Sequence, residues 1–420
     1  MLHLKFSTMN TPKPYRLSPT VGNIPPENVV GRSKEIEELY LLTESQSVVL
    51  SEIRRMGKTL FLQKFAYVTI KENRPNKAIH FDLMSVEDIT ELTDKVLDTL
   101  REKQKNGWLK VQMNRCLLLY NRFKPEKIDV KLPYELPELS FKLPEFKTEW
   151  KKALSACIED LADRNQEENE SLTLILDEMP YMLWQWILNN KAQDAIELLS
   201  LLRSLRQSLQ EKGRIRFVIC GSVGLDVVLN RLRTEFKYTA EPFNDAAKYS
   251  LEAMTNNDAI LLCECLALSG FEFMENKENA IEEICRLTEN LPFYINKLFG
   301  ILLHSFDAKI SQITISQAFD VLLTDIDQDN TFEQLDSRLT TYYPKQDNLM
   351  FEVLNYLSKQ KTAKTEDEIK QSIASDDREV QNVLRLLIKD TYLRRSIDNG
   401  VRSYQFKYKL IQQWWKLNKA

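Results

Sequence analysis

Val48–Leu62 reads VVLSEIRRMGKTLFL. Three apolar β-formers, Val48, Val49 and Leu50, stop at a polar turn, and an amphipathic segment follows from Leu60 to Tyr67. Strand, tight loop and helix is the setting in which backbone N–H groups and the positive end of a helix wrap an anion. Gly57 lets the chain curl closely. Lys58 would reach the β- and γ-phosphates of a nucleotide, and the Thr59 hydroxyl would ligate Mg²⁺. The first glycine of G-x-x-x-x-G-K-[ST] is replaced by Glu52, whose carboxylate must turn away from phosphates. A Gly-Lys-Thr string also arises by chance at helix starts, so the motif needs its second half.

That half stands at Leu172–Glu178, LTLILDE. A nearly all-apolar strand fits a parallel sheet buried on both faces. Its carboxyl end is where such sheets bind ligands, and two acids stand there. Asp177 would hold Mg²⁺, and Glu178 would polarise an attacking water. A third buried strand, Ile215–Cys220, ends in Gly221-Ser222-Val223-Gly224. Ser222 is the candidate γ-phosphate sensor there; a glycine turn into a helix over Leu225–Leu232 explains the same residues. Arg231, Arg233 and Lys237 follow, where a ring-forming ATPase would carry a trans-acting arginine, although surface arginines are ordinary.

The 420 residues, 43% hydrophobic and 28% charged, allow two or three domains and exclude long disorder. A net charge of −4 excludes a chain-wide polyanion binder, so any nucleic-acid surface must be local. The six cysteines form no C-x-x-C pair, and the only histidines are His3, His80 and His304. Reduced core thiols and no zinc site are expected. Neither a signal peptide nor a run of about 18 apolar residues occurs, so a cytoplasmic protein with no membrane partner is expected.

Residues 1–29 contain five prolines and predict an extended arm. Gly31-Arg32 fits a simple turn or a loop closing over an adenine; both readings stand. Residues 30–252 form the expected core. Within it, Lys77–Leu83 predicts a strand, Val86–Lys103 a helix, 104–147 an insertion with a β-ribbon over Ile128–Phe141, and Lys248–Leu251 a last strand. Residues 253–340 predict a helical lid. Thr288-Glu289-Asn290-Leu291-Pro292 starts one of its helices, and Pro292 would stand beside the nucleotide base.

Residues 341–420 form a separate module. Asp347–Ser358 predicts a helix with Leu349, Val353, Leu354 and Leu357 inward. Thr365 and Asp376 cap two more helices, and Asn399-Gly400 is a strong hairpin signal. Three helices and a hairpin are the winged-helix pattern. Fifteen Lys and Arg against ten Asp and Glu favour phosphates, with Arg378, Arg385, Lys389, Arg394, Arg395 and Arg402 as contacts. Asp376, Asp377 and Glu379 at the start of the third helix oppose base contact. DNA and a protein partner both stand as readings. Trp414-Trp415 should anchor the last helix to the core of this module.

GRSKEIEELY, RRMGKT, LILDEMPYML, VICGS, ENLPFYI and FKYKLIQQWW, in this order, resemble the archaeal-type ATPases of the AAA+ and STAND branch of P-loop NTPases. The resemblance covers nearly the whole chain from about residue 20. It implies an α/β fold with parallel sheet order 5-1-4-3-2, a helical lid and a C-terminal winged helix. It also implies an ATP- and Mg²⁺-dependent ATPase, with a homo-oligomer left open. It carries over Lys58 and Thr59 as nucleotide contacts, and Arg54-Arg55 is typical of such loops; Gly31, Arg32, Met56, Gly57, Leu60 and Pro292 complete the expected nucleotide-binding set. Thr59 and Asp177 follow as metal ligands, and Lys58, Glu178 and Ser222 as catalytic groups. Relatives carry Gly-x-Pro in the lid where this chain has Asn290-Leu291-Pro292. A nucleotide-gated switch with little turnover, acting through a protein partner, and an ATP-dependent DNA binder are the alternatives to an active ATPase.

Overall fold

The computed structural model describes residues 13–20, 22, 24–51, 55–105, 146–209, 214–324 and 332–420. Glu52, Arg54, Cys116 and the β-ribbon expected at Ile128–Phe141 lie outside the described residues. The described residues fall into two compact units. The first spans most of the chain from Lys34 to Leu251, without the loop ending at Gly57. The second takes the chain up to Ser33, that loop, and Glu252 onward.

In chain order the first unit is built from α1 (Ser33–Ser45), β1 (Val48–Ser51), α2 (Lys58–Lys71), β2 (Asn76–Asp82), α3 (Ile89–Lys105) and α4 (Phe146–Glu167). Then come β3 (Ser171–Asp177), α5 (Met179–Leu188), α6 (Ala192–Leu209), β4 (Ile215–Cys220), α7 (Leu225–Phe236) and β5 (Ala247–Ser250). The five strands are parallel in the order β2-β3-β4-β1-β5, the expected order seen from the other edge. The register aligns their carboxyl ends: Asp82 faces Asp177, Asp177 faces Cys220, and Cys220 faces Leu50.

Side chains alternate between the faces of a strand, and this sorts the sheet. Ala78, Ile175, Val218, Cys220 and Leu50 lie on one face, packed with Ile36 and Leu39 of α1 and Phe61, Leu62 and Phe65 of α2. Phe61, Leu62 and Phe65 are fully buried, and each such burial contributes roughly 1.5–3 kcal/mol. Phe81, Leu174, Leu176 and Phe217 lie on the other face and enclose a small apolar cavity with Leu92 of α3, Leu154 of α4 and Leu198 of α6. Burial of both faces explains why β3 and β4 read as apolar runs. The same period of two puts His80, Asp177 and Cys220 on the face that α2 covers.

The second unit opens with an extended arm. Leu17 N–H donates to the Cys265 carbonyl at 3.1 Å, and Thr20 N–H donates to Asn296 Oδ1 at 3.3 Å. Four helices follow: α8 (Asn256–Ala267), α9 (Lys277–Leu287), α10 (Pro292–Ser305) and α11 (Gln312–Thr324). Two-residue strands β6 (Glu272–Phe273) and β7 (Lys309–Ile310) pair in parallel. Then come α12 (Glu333–Tyr342), α13 (Asp347–Ser358), β8 (Lys364–Thr365), α14 (Glu366–Ser372), α15 (Asp377–Lys389), β9 (Leu393–Asp398), β10 (Val401–Phe406) and α16 (Lys409–Asn418). β8, β10 and β9 form an antiparallel sheet. Helices α13–α15 with this hairpin have the winged-helix arrangement.

Local signals account for the module. Thr365 and Glu368 form a reciprocal capping box at α14, and Asp376 caps α15. Asn399 and Gly400 turn the hairpin at φ 47° and 81°. Leu349, expected inward, is only partly covered; Met350 takes the buried place. The reason is spacing: Met350, Val353, Leu354 and Leu357 make an i, i+3, i+4, i+7 stripe. The tryptophan pair also divides its work. Trp415 Nε1 donates to Asn355 Oδ1 of α13 at 2.8 Å. Trp414 instead stacks on Phe332, centroids 5.1 Å apart, and Phe332 stacks on Tyr294 of α10 at 5.1 Å. α16 is thus pinned to the lid as well as to its own module.

Candidate nucleotide site

Lys58 opens α2 and is buried, 7% exposed. Asp177 closes β3 and is 0% exposed. Their common neighbour is Cys220, the last residue of β4. Burial pushes the Cys220 thiol well above its ordinary value, the Asp177 and Glu178 carboxylates push it further, and the Lys58 ammonium opposes them. These four groups therefore share one place at the carboxyl edge of the sheet. Asp177 Oδ1 accepts from the Glu178 N–H at 3.1 Å, and Oδ2 lies 3.1 Å from His80 Nε2. No local motif marks Cys220 or His80 for this site. Only strand register brings them there.

Glu178 follows the strand at φ 58° and ψ 18°, a left-handed conformation that costs a non-glycine residue about 1–3 kcal/mol. The turn aims its carboxylate at β4. Glu178 Oε2 accepts from Ser222 N–H at 2.8 Å and from Ser222 Oγ at 2.7 Å. Gly221 makes this approach possible. A Cβ there would lie 2.8 Å from Pro180 Cδ and 3.2 Å from its Cγ, well inside ordinary carbon contact. Farther along, Arg231 pairs with Glu235 at 3.1 Å and stacks over Trp184 at 4.5 Å, and Arg233 pairs with Glu241.

The loop residues preceding Lys58 belong to the second unit. Arg55 takes φ 71° and Gly57 φ 78°; Met56 is buried. The Arg55 guanidinium lies 4.2 Å from the Phe293 ring centroid. Burial, and then the Arg55 charge, push the Lys297 ammonium below its ordinary value. Two cations held close together suit an anion. A Cβ on Gly57 would lie 3.8 Å from Pro292 Cγ, so the loop and the start of α10 touch.

Gly31 and Arg32 form a built turn in the same unit, at φ 67° and 68°. A Cβ on Gly31 would lie 2.4 Å from Asp258 Cγ, so only glycine fits. Arg32 N–H donates to Asp258 Oδ2 at 2.9 Å, and Arg32 Nη1 donates to the Glu252 carbonyl at 2.7 Å. Leu60 and Thr59 are half-buried in the first turn of α2.

Among the described residues no group of three or more His, Cys, Asp and Glu could hold a metal by itself. One buried carboxylate and one hydroxyl nevertheless suit Mg²⁺, a hard cation that usually keeps several waters and takes phosphate oxygens. Among the described residues no helix is long and apolar enough to cross a membrane.

No protein-family model matches the chain, and no curated protein matches its sequence. Solved structures do resemble it. The Aeropyrum pernix ORC2 protein, solved as ADPNP-ADP complexes, matches at TM-score 0.52 and 13% identity, over 92% of this chain and 92% of that one. The CDC6P protein of Pyrobaculum aerophilum matches at 13% identity over 95% of this chain and 97% of that one, but its TM-score of 0.41 is too low to bear on the fold. At such identity the first likeness concerns fold alone. With its five parallel strands in the order β2-β3-β4-β1-β5, the chain shares the fold of the Aeropyrum pernix ORC2 protein.

Proposed function

We propose that the protein binds ATP with Mg²⁺ and hydrolyses it, coupling the nucleotide state to movement of the lid and winged helix. The observation that carries this is the gathering of Lys58, Asp177, Glu178 and Ser222 around Cys220 at the carboxyl edge of the sheet. Lys58 would hold phosphate oxygens, with Arg54, Arg55, Met56, Gly57 and Leu60 in the same loop. Gly31, Arg32 and Pro292 would meet the base. Thr59 and Asp177 would hold the metal, which when bound neutralises phosphate charge. Glu178 would orient the attacking water and take its proton, and Ser222 would position Glu178. Domains at 1–29, 30–252, 253–340 and 341–420 are part of the same proposal.

The test is ATP turnover and ATP binding by the full-length chain. Glu178→Gln should cut turnover by roughly 10²–10⁴-fold, the usual contribution of general base catalysis, and keep ATP binding. Lys58→Ala should lose binding. Wild-type turnover in Glu178→Gln, or wild-type affinity in Lys58→Ala, would overturn the assignment.

One observation favours the slow switch as a second reading. Glu178 Oε2 already accepts two hydrogen bonds from Ser222, which must give way before that oxygen can take a proton. Retained ATP with negligible turnover would identify this behaviour. Arg394, Arg395 and Arg402 on the wing are exposed, and so are Asp376, Asp377 and Glu379 at α15. That mixed surface supports a protein partner at least as well as DNA. Salt-sensitive duplex binding, weakened by Arg395→Ala, would identify DNA.

A further inference from the structure

We infer that His80 is a positioning residue for the metal-binding carboxylate of Asp177, an inference that rests on the ATP and Mg²⁺ reading above. His80 stands on β2, and a period of two puts it with Ala78 on the face covered by α2. Ala78 of its own strand and Ile175 and Val218 of the neighbouring strands lie beside it there, each at most 1% exposed, and the polar Asn76 and Thr173 farther along bond to one another. An imidazole there, with its side chain 13% exposed, departs from the apolar pattern. Among the described residues its one close polar contact across the strands is Nε2 to Asp177 Oδ2, 3.1 Å. An ionised carboxylate only accepts hydrogen bonds, so the facing nitrogen carries the proton and donates.

Among the described residues two donors hold Asp177: His80 at Oδ2 and the Glu178 N–H at Oδ1. The Glu178 contact is made by the adjoining backbone and cannot be altered by substitution. His80 is therefore the strong side-chain donor that sets the plane of the carboxylate before a cation arrives. Groups that orient a metal ligand in this way commonly change metal affinity by about 10- to 100-fold when removed.

The experiment measures Mn²⁺ binding, in place of Mg²⁺, by the full-length chain with bound ATP, using the paramagnetic resonance signal of free Mn²⁺. ATP binding in chelator is measured beside it. His80→Leu removes the donor and should weaken Mn²⁺ by about 10- to 100-fold, with ATP affinity in chelator unchanged. His80→Gln puts an amide N–H near the position of Nε2 and should restore Mn²⁺ affinity to within about threefold. If His80→Leu does not fold, His80→Asn carries the test, because its shorter amide falls short of Oδ2. Wild-type Mn²⁺ affinity in the donor-less variant, or equal loss in His80→Gln, overturns the role of His80 alone. Absence of ATP binding in the unaltered chain, with Mn²⁺ or in chelator, overturns the nucleotide reading, and this inference with it.

Discussion

Gly221→Ala tests how the strand ends are fitted together. Gly221 does not lie in the left-handed region, so alanine is acceptable to the backbone there. By itself the change should stabilise the chain by about 0.4–1 kcal/mol, through a less flexible unfolded state. Packing opposes this. The new Cβ would meet Pro180 Cδ at 2.8 Å, Pro180 Cγ at 3.2 Å and the Val223 carbonyl oxygen at 3.3 Å. Against a normal carbon contact of about 3.5 Å, the first pair must part by roughly 0.7 Å. The proline ring is rigid, and α5 is locked by Met179, Met182, Leu183 and Trp186, each 0% exposed. The Gly221 turn must therefore move, and Ser222 moves with it. Overpacking of this kind costs about 1–3 kcal/mol, which exceeds the backbone gain. Stretching the two Ser222 bonds to the Glu178 carboxylate adds to the loss, at about 1.5–3 kcal/mol for each bond broken.

The expected result is a net destabilisation of about 1–2 kcal/mol, seen as a lower midpoint in thermal unfolding, with ATP turnover reduced beyond the loss of folded protein. Pro180→Ala removes the two colliding ring atoms. Combined with Gly221→Ala it should recover most of the stability, so the double-mutant cycle reports a coupling of about 1 kcal/mol or more. If Gly221→Ala is neutral, or the pair simply adds, the glycine is not there to clear Pro180.

Two further outcomes follow from the second unit. Arg338 Nη2 donates to Asp390 Oδ1 at 2.8 Å, with both side chains nearly fully buried. Asp390→Leu strands the guanidinium and should cost about 3–5 kcal/mol, whereas Arg338→Met with Asp390→Leu should recover most of it in thermal unfolding. Glu368 is held down to about 2, first by the Thr365 backbone N–H, then by Lys364 and the Thr365 hydroxyl. A depressed carboxyl contributes stability that is complete above its ordinary value near 4.5 and lost as pH falls through about 2. The gap in unfolding midpoint between the unaltered chain and Glu368→Gln should therefore close between these pH values. A carboxyl titrating near 4.5 by NMR would contradict the capping geometry.

Whatever depends on neighbours within about ten residues was legible in the chain itself. The apolar runs at Val48, Leu172 and Ile215 end at or one residue before the ends of their strands, because hydrophobic period and chain polarity set both together. Asn399-Gly400 specified the hairpin, and Thr365 with Glu368 the capping box, because these signals act across two to three residues. Tertiary structure alone decided which distant residues meet. Cys220 and His80 join Asp177 only because β2, β3 and β4 lie side by side in one register. Gly31 is required by Asp258, more than two hundred residues away, and Arg55 finds Phe293 in the same manner. Trp414 leaves its own module for Phe332 for a similar reason. Such contacts depend on sheet order, strand register and helix packing, which are collective properties of the folded chain and leave no mark in any single stretch of it.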